Sequence, residues 1–229
     1  MKHPSRSTRL RTLQMLLILP MLLAGLLAAC SSAQEPADRY DYGRADRAKL
    51  PPMTLLNHQS IMGDLLGKPA IPVKTIGILV YEDFFTMDAI GPLTMLSQLP
   101  NARVRLIRFG GDDVLKSGRT QIRVPTAAAD VNALDALLIP GGSTGTWQMA
   151  QDPQALAWIR KIDTHSRYTG SVCSGAWILG ATGLLQGRKA TTNWYRARQM
   201  MDLYGSEFTP ARYMSDGKYW TSAGVSADM

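Results

Sequence analysis

Between residues 73 and 222, short apolar runs alternate with stretches whose apolar residues recur every three or four positions. Val73–Tyr81 (VKTIGILVY) is almost continuously apolar, as a strand covered on both faces of a sheet must be. Phe84 to Leu99 then carries Ile90, Leu93, Leu96 and Leu99 at helical spacing, with Thr86 placed to cap the helix and Asp88 in its first turn. The pattern continues with a strand over Arg103–Phe109, closed by Gly110-Gly111-Asp112-Asp113, and a hairpin over Val114–Val124 about Ser117-Gly118. Leu134–Ile139 reads as a buried strand ending in Pro140-Gly141-Gly142, and Pro153–His165 as the crossover helix after it. A short β-prone run from Tyr168 leads to Cys173, after which Ser174, Gly175 and Ala176 open another helix. Lys189–Thr192 is a short strand, Trp194–Tyr204 a helix, and Tyr219–Ser222 a last strand after the turn at Ser215-Asp216-Gly217. Strands alternating with helices predict an α/β fold built on a doubly wound, mainly parallel sheet with helices on both faces.

The pattern upstream of residue 73 is different. Lys2, Arg6, Arg9 and Arg11 make a basic start, Met15–Leu27 is an apolar run, and Ala28-Ala29 precede Cys30, the layout of a secretory signal. Leu27-Ala28-Ala29-Cys30 resembles the lipobox of bacterial lipoproteins. That resemblance implies cleavage before Cys30, a lipid on its sulfur, and residence in the bacterial cell envelope. Ser31 lacks the aspartate associated with inner-membrane retention, so the outer membrane, facing the periplasm, is expected. Residues 30–52 read as a polar tether. Within the segment 53–72, residues 53–66 carry Leu55, Leu56, Met62, Leu65 and Leu66 as a short amphipathic helix stopped at Gly67. It could dock on the domain or present a partner surface.

Composition changes this picture in one respect. The chain has 229 residues and a formal charge of +7, but the signal holds four of its 25 basic residues and none of its 18 acidic ones. Without the signal the balance is +3, 21 basic against 18 acidic. No basic stripe with interleaved aromatics remains, so a nucleic-acid partner is not expected. The phosphate-binding patterns GxGxxG and GxxxxGK[ST] are absent, and no cofactor or metal is expected.

Cys173 is the candidate centre of chemistry. A strand–turn–helix junction at the carboxyl edge of a parallel sheet aims its side chain into the region where ligand sites collect. The N–H groups and positive dipole end of the following helix favour thiolate over thiol, which predicts a depressed thiol pKa. Two readings stand at this point: a nucleophile, or a buried structural cysteine that packs as a small hydrophobe.

Four ordered motifs carry a family resemblance. They are DAIGP at Asp88–Pro92, IPGG at Ile139–Gly142, SVCSGAWILGATGLLQGRKATT at Ser171–Thr192, and TSAGVSA at Thr221–Ala227. From about Val73 to Met229 the chain resembles the ThiJ/PfpI family of the class I glutamine-amidotransferase-like superfamily, in the branch shared by isonitrile hydratases and the ligand domains of AraC-type regulators. The resemblance implies a flavodoxin-like three-layer sandwich and a homodimer. It makes Cys173 the nucleophile, Asp88 its acidic partner and Ser174 the hydroxyl-bearing neighbour, with Gly142 and Ser174 N–H groups as an oxyanion hole beside Gly141.

The departures narrow the chemistry. Relatives often carry His in an ATTHW motif where this chain has Asn193, and the protease-like branch places His where Ser174 stands. Asn193 is then a substrate-binding candidate rather than a base. His165, at the far end of the strand before Cys173, lies about 15 Å or more away. Peptidase and His-dependent glyoxalase chemistry are therefore disfavoured. After TSAGVSA, relatives continue into a long helix, whereas this sequence stops at Met229. The expectation is a fold lacking that helix, or one in which residues 53–66 take its place. Two functions follow: a Cys-dependent hydratase or hydrolase of a small electrophile, or a non-catalytic ligand-binding or redox-sensing protein of the envelope.

Overall fold

The structure, a computed structural model, describes residues 73–224. The signal, lipobox, tether and 53–66 helix expected from the sequence lie outside the described residues, as does the end of the TSAGVSA motif. Ten strands and five α-helices follow in the order β1 (Thr75–Val80), α1 (Thr86–Leu96), β2 (Arg103–Arg108), β3 (Val114–Ser117), β4 (Thr120–Arg123), β5 (Ala136–Ile139), α2 (Thr144–Met149), α3 (Pro153–Asp163), β6 (Tyr168–Val172), α4 (Gly175–Ala181), β7 (Lys189–Ala190), α5 (Ala197–Leu203), β8 (Glu207–Phe208), β9 (Tyr213–Asp216) and β10 (Tyr219–Ser222). A 3₁₀ turn at Ala128–Asp130 precedes β5.

Six strands form one sheet in the order β2-β1-β5-β6-β10-β9. β2, β1, β5, β6 and β10 run parallel, and β9 pairs antiparallel with β10 at the edge. The doubly wound, mainly parallel sheet expected from the pattern is the fold observed. Continuous burial of Ile76–Val80 in β1 follows from its position inside that sheet. Ile78, Leu79, Ile107, Leu137, Ile139, Ile159, Ile162, Ile178 and Leu179 fill the core between strands and helices.

Strand order reverses at β1 and β5, because β1 pairs with β2 on one side and the chain crosses over it to β5 on the other. In open α/β sheets the crevice at such a switch point, outside the carboxyl ends of the strands, is where ligands bind. The turn from β1 into α1, the turn from β5 into α2 and the turn from β6 into α4 all emerge there.

Three local expectations are corrected. Thr86 does not cap α1: Phe85 holds the cap position with no side-chain bond, and the Thr86 hydroxyl lies 2.6 Å from Ser117 Oγ on the β3–β4 hairpin. That hairpin is the expected one, but it is fastened to the β1–α1 turn rather than free. Asp83 N–H donates to Lys116 O, and Ser117 Oγ donates to Phe84 O. A six-residue helix, α2, follows Pro140-Gly141-Gly142 where the pattern gave none, and β7 and β8 pair as a small separate ribbon. Third, α5 begins only at Ala197, since Arg196 takes a left-handed conformation (φ 50°) incompatible with helix through Trp194–Arg196.

Candidate functional site

Cys173 follows directly on β6, and its backbone is left-handed, with φ 57°. A residue with a Cβ adopts this conformation only where surrounding structure enforces it. Here Cys173 N–H donates to Ser222 O of β10 at 3.0 Å, and Thr192 Oγ1 donates to Cys173 O at 2.9 Å, so both peptide groups are held. The chain reverses into α4 within one residue because Gly175 has no Cβ, which would collide with the carbonyl oxygen of Ile139. Strand, elbow and helix thus aim the Cys173 side chain away from the sheet, as the local sequence predicted.

The second contributor is α1. Its first turn carries Asp88, fully buried. Pro92 sits four residues on and lacks the N–H that would bond the Asp88 carbonyl, so the helix is weakest where the acid stands. Asp88 Oδ2 accepts from Gly141 N–H at 3.1 Å, which ties α1 to the β5–α2 turn. Phe85 N–H donates to Gly141 O at 2.8 Å and Ser143 N–H to Asp83 O at 3.1 Å, stitching the same two turns together.

Ser174 closes the ring. Its Oγ accepts from Gly142 N–H and donates to Gly142 O, both at 3.1 Å, and lies 3.4 Å from Thr146 Oγ1. Thr146 in turn lies 2.9 Å from Tyr81 OH, which donates to Pro140 O at 2.8 Å. Burial pushes the Tyr81 phenol well above its usual range, and the Thr146 bond only partly offsets this, so it acts as a neutral donor. Gly141 is required by close approach: a Cβ there would lie 2.8 Å from Asp88 Oδ2, from Ser174 N and from Ser174 Oγ. Asp88, Ser174 and Gly141 therefore meet at one point beside the elbow.

The thiol is not depressed, contrary to the expectation from the helix start. Burial is the largest influence on Cys173 and raises its pKa, and the Asp88 charge raises it further, to about 11. Bonds from the Ser174 N–H and hydroxyl act in the opposite direction and are outweighed. A seven-residue α4 with no capping side chain is too weak a counterweight. With its pKa raised in this way, Cys173 keeps its proton at neutral pH.

Other expected residues fall as follows. Gly142 N–H, expected as an oxyanion donor, points to Ser174 Oγ in the resting structure. Asn193 immediately follows Thr192, which bonds Cys173 O, and its Oδ1 is buried with no hydrogen-bond partner. His165 lies before β6 while Cys173 lies after it, and its Nδ1 is 2.8 Å from Thr164 Oγ1. Tyr81 and Thr146 were not singled out from the sequence, since neither spacing nor composition marks them. Trp177 stands in the first turn of α4, and its indole N–H is buried without a hydrogen-bond partner. Among the described residues no group of three or more His, Cys, Asp or Glu could hold a metal ion.

A doubly wound sheet with a cysteine on a left-handed elbow, a buried acid from the first helix and a glycine pair between them defines a class of cysteine-centred α/β proteins. Residues 74–229 match the DJ-1/PfpI family, and the chain belongs to it. It is 34% identical to the isonitrile hydratase of Pseudomonas putida over 152 residues, 66% of each chain. A solved ThiJ/PfpI family protein from Pseudomonas syringae superposes with a TM-score of 0.65 at 32% identity, covering 78% of this chain and 71% of that one. The transcriptional regulator GbdR of Pseudomonas aeruginosa is 26% identical over 68% of this chain and 44% of its own length.

Proposed function

We propose that the chain is a cysteine-dependent hydratase or hydrolase of a small electrophile, isonitrile-hydratase-like, anchored through Cys30 in the cell envelope. The observation that carries the reading is the packing of Asp88 and Ser174 against the Cys173 elbow, and the similarity to an isonitrile hydratase supports the carbon–nitrogen substrate class. Cys173 Sγ bonds the electrophilic carbon while its proton passes through Asp88 to the substrate, giving a thioimidate from an isonitrile. Water then adds to the same carbon and the C–S bond breaks. The sulfur regains a proton through Asp88, and an N-substituted formamide leaves. Ser174 N–H and Gly142 N–H stabilise negative charge on the adduct, the latter once Ser174 Oγ turns toward the substrate. Asn193, next to Thr192 on Cys173 O, offers its buried Oδ1 as an acceptor to the bound molecule.

With a thiol pKa of about 11, free thiolate is scarce at neutral pH, so proton movement to Asp88 must accompany attack. The same fact supports the second reading, a ligand-binding protein with no turnover, as does the similarity to a regulator. A screen of mature protein against isonitriles, nitriles and reactive carbonyls separates them. Turnover lost in Cys173→Ser supports the enzyme; stoichiometric binding without turnover, unchanged in Cys173→Ser, supports the binding protein.

A further inference from the structure

A chain of buried hydroxyls runs from the end of β1 to the elbow: Tyr81 on the residue after β1, Thr146 in α2 and Ser174 at the start of α4, each no more than 2% exposed. Each has one hydrogen to give, which fixes the direction of the bonds among them. Tyr81 OH meets Pro140 O at 2.8 Å, and a carbonyl oxygen only accepts. Pro140 is buried, and leaving its carbonyl unbonded is costly, so the phenol hydrogen stays there. Burial keeps the phenol protonated, with only lone pairs left to face Thr146. Thr146 Oγ1, 2.9 Å from Tyr81 OH, therefore donates to it.

Ser174 then receives no hydrogen from Thr146. The 3.4 Å between their oxygens is longer than an ordinary O–H···O bond, in keeping with a loosely held pair. Ser174 Oγ is left with one donor, Gly142 N–H, and its own hydrogen rests on Gly142 O, both at 3.1 Å. Both partners belong to one residue, so a single rotation of the Ser174 side chain breaks both bonds. Leaving Gly142 uncovers its N–H, and the Ser174 hydroxyl can serve the neighbouring sulfur, on which its bond favours thiolate.

We propose that Tyr81 and Thr146 are positioning residues: by taking the Thr146 hydrogen, Tyr81 limits Ser174 Oγ to a single donor and leaves the Ser174 hydroxyl free to turn from Gly142 to the reacting sulfur and substrate. The role at the substrate rests on the hydratase reading; the role at the sulfur does not. Removing the phenol oxygen reverses the arrangement. In Tyr81→Phe the Thr146 hydrogen loses its acceptor and turns to Ser174 Oγ, which then has two donors and stays on Gly142.

The effect of Tyr81→Phe, measured with Thr146 present and in a Thr146→Val background, tests this. With Thr146 present, Tyr81→Phe should lower isonitrile kcat at least about tenfold, with KM changed by less than about threefold, and slow Cys173 alkylation at about pH 8 at least about threefold. In the Thr146→Val background, where no threonine hydrogen remains to be redirected, the same substitution should change kcat and alkylation by less than about twofold. Equal effects in the two backgrounds, or none in either, would leave Pro140 O or packing as the only role of Tyr81 and overturn the proposal. Absence of turnover by the unsubstituted chain would overturn the hydratase reading, and the alkylation rates still decide the role of Tyr81. If Tyr81→Phe does not fold, neutron diffraction from deuterated crystals of the unsubstituted protein decides: the Thr146 deuteron should lie toward Tyr81 OH, and a Thr146 deuteron pointing at Ser174 Oγ would overturn the proposal.

Discussion

Cys173 combines two penalties, a left-handed backbone and a buried thiol beside an acid, and both are visible as consequences of position rather than of side-chain type. Left-handed conformation costs a residue with a Cβ about 1–2 kcal/mol relative to glycine. Cys173→Gly should therefore be more stable than Cys173→Ala by about 1 kcal/mol in denaturant titration, although glycine normally destabilises. Gly141 presents the opposite constraint. Gly141→Ala places a methyl group among Asp88, Ser174 N and Ser174 Oγ, and should reduce isonitrile turnover by about 10²-fold or more through displacement of Asp88, while alkylation of Cys173 changes as the acid moves away. Cys173, Asp88 and Ser174 were legible because strand–turn–helix patterning and the ordered motifs place them at sheet-edge turns. Tyr81 and Thr146 were not, because their partnership with Ser174 depends on bonds across residues 65 and 28 apart in sequence. The direction of the thiol shift was misread for a related reason: a helix start is written in local sequence, whereas desolvation and the approach of Asp88 arise only from packing.

At the scale of elements, the site is held by turns that brace one another, and their fastenings lie away from the chemistry. The β3–β4 hairpin is legible as a hairpin from its Ser117-Gly118 turn, but its use as a brace for the β1–α1 turn is a tertiary fact that displaces the expected Thr86 cap. The α3 start, by contrast, was written locally in Asp152-Pro153: Asp152 Oδ1 accepts from Gln154 N–H at 2.8 Å and Ala155 N–H at 3.3 Å. Asp152→Ala should cost about 1 kcal/mol of stability. Asp135 fastens β5 to β1 at the other end of the sheet. Burial acts to raise its carboxyl, but the N–H groups of Thr75 and Lys74, the Thr75 hydroxyl and Arg167 together hold it below the usual carboxylate range. A depressed folded pKa contributes stability that is present above the unfolded value of about 3.9 and lost as pH falls through the folded value. Asp135→Asn should therefore lower stability at neutral pH and flatten its decline below about pH 4, as acid titration of the unfolding free energy would show.

For the whole molecule, the parallel order of β2, β1, β5, β6 and β10 brings three turns from distant parts of the chain to one edge, and the alternation of strands and helices was enough to foresee it. Among the described residues no helix is long and apolar enough to cross a membrane, and the proposed envelope anchor at Cys30 has its own test. Cys30→Ser should move the protein from the membrane to the soluble periplasmic fraction or leave an uncleaved precursor, and unchanged fractionation would remove the anchor from the account.

The proposed function rests on Asp88 taking the Cys173 proton, and a single substitution reads both halves of that claim. Asp88→Asn removes a negative charge and an acceptor that raise the thiol pKa, so more Cys173 is ionised at neutral pH and alkylation should become faster, with its pH midpoint falling below about 11. The amide cannot relay the thiol proton, so isonitrile turnover should fall by about 10²-fold even as the free thiol becomes more reactive. Alkylation and turnover measured side by side across pH on wild type and Asp88→Asn should move in opposite directions. An unchanged alkylation midpoint together with unchanged turnover would contradict the pair and leave Asp88 as a charge at the start of α1.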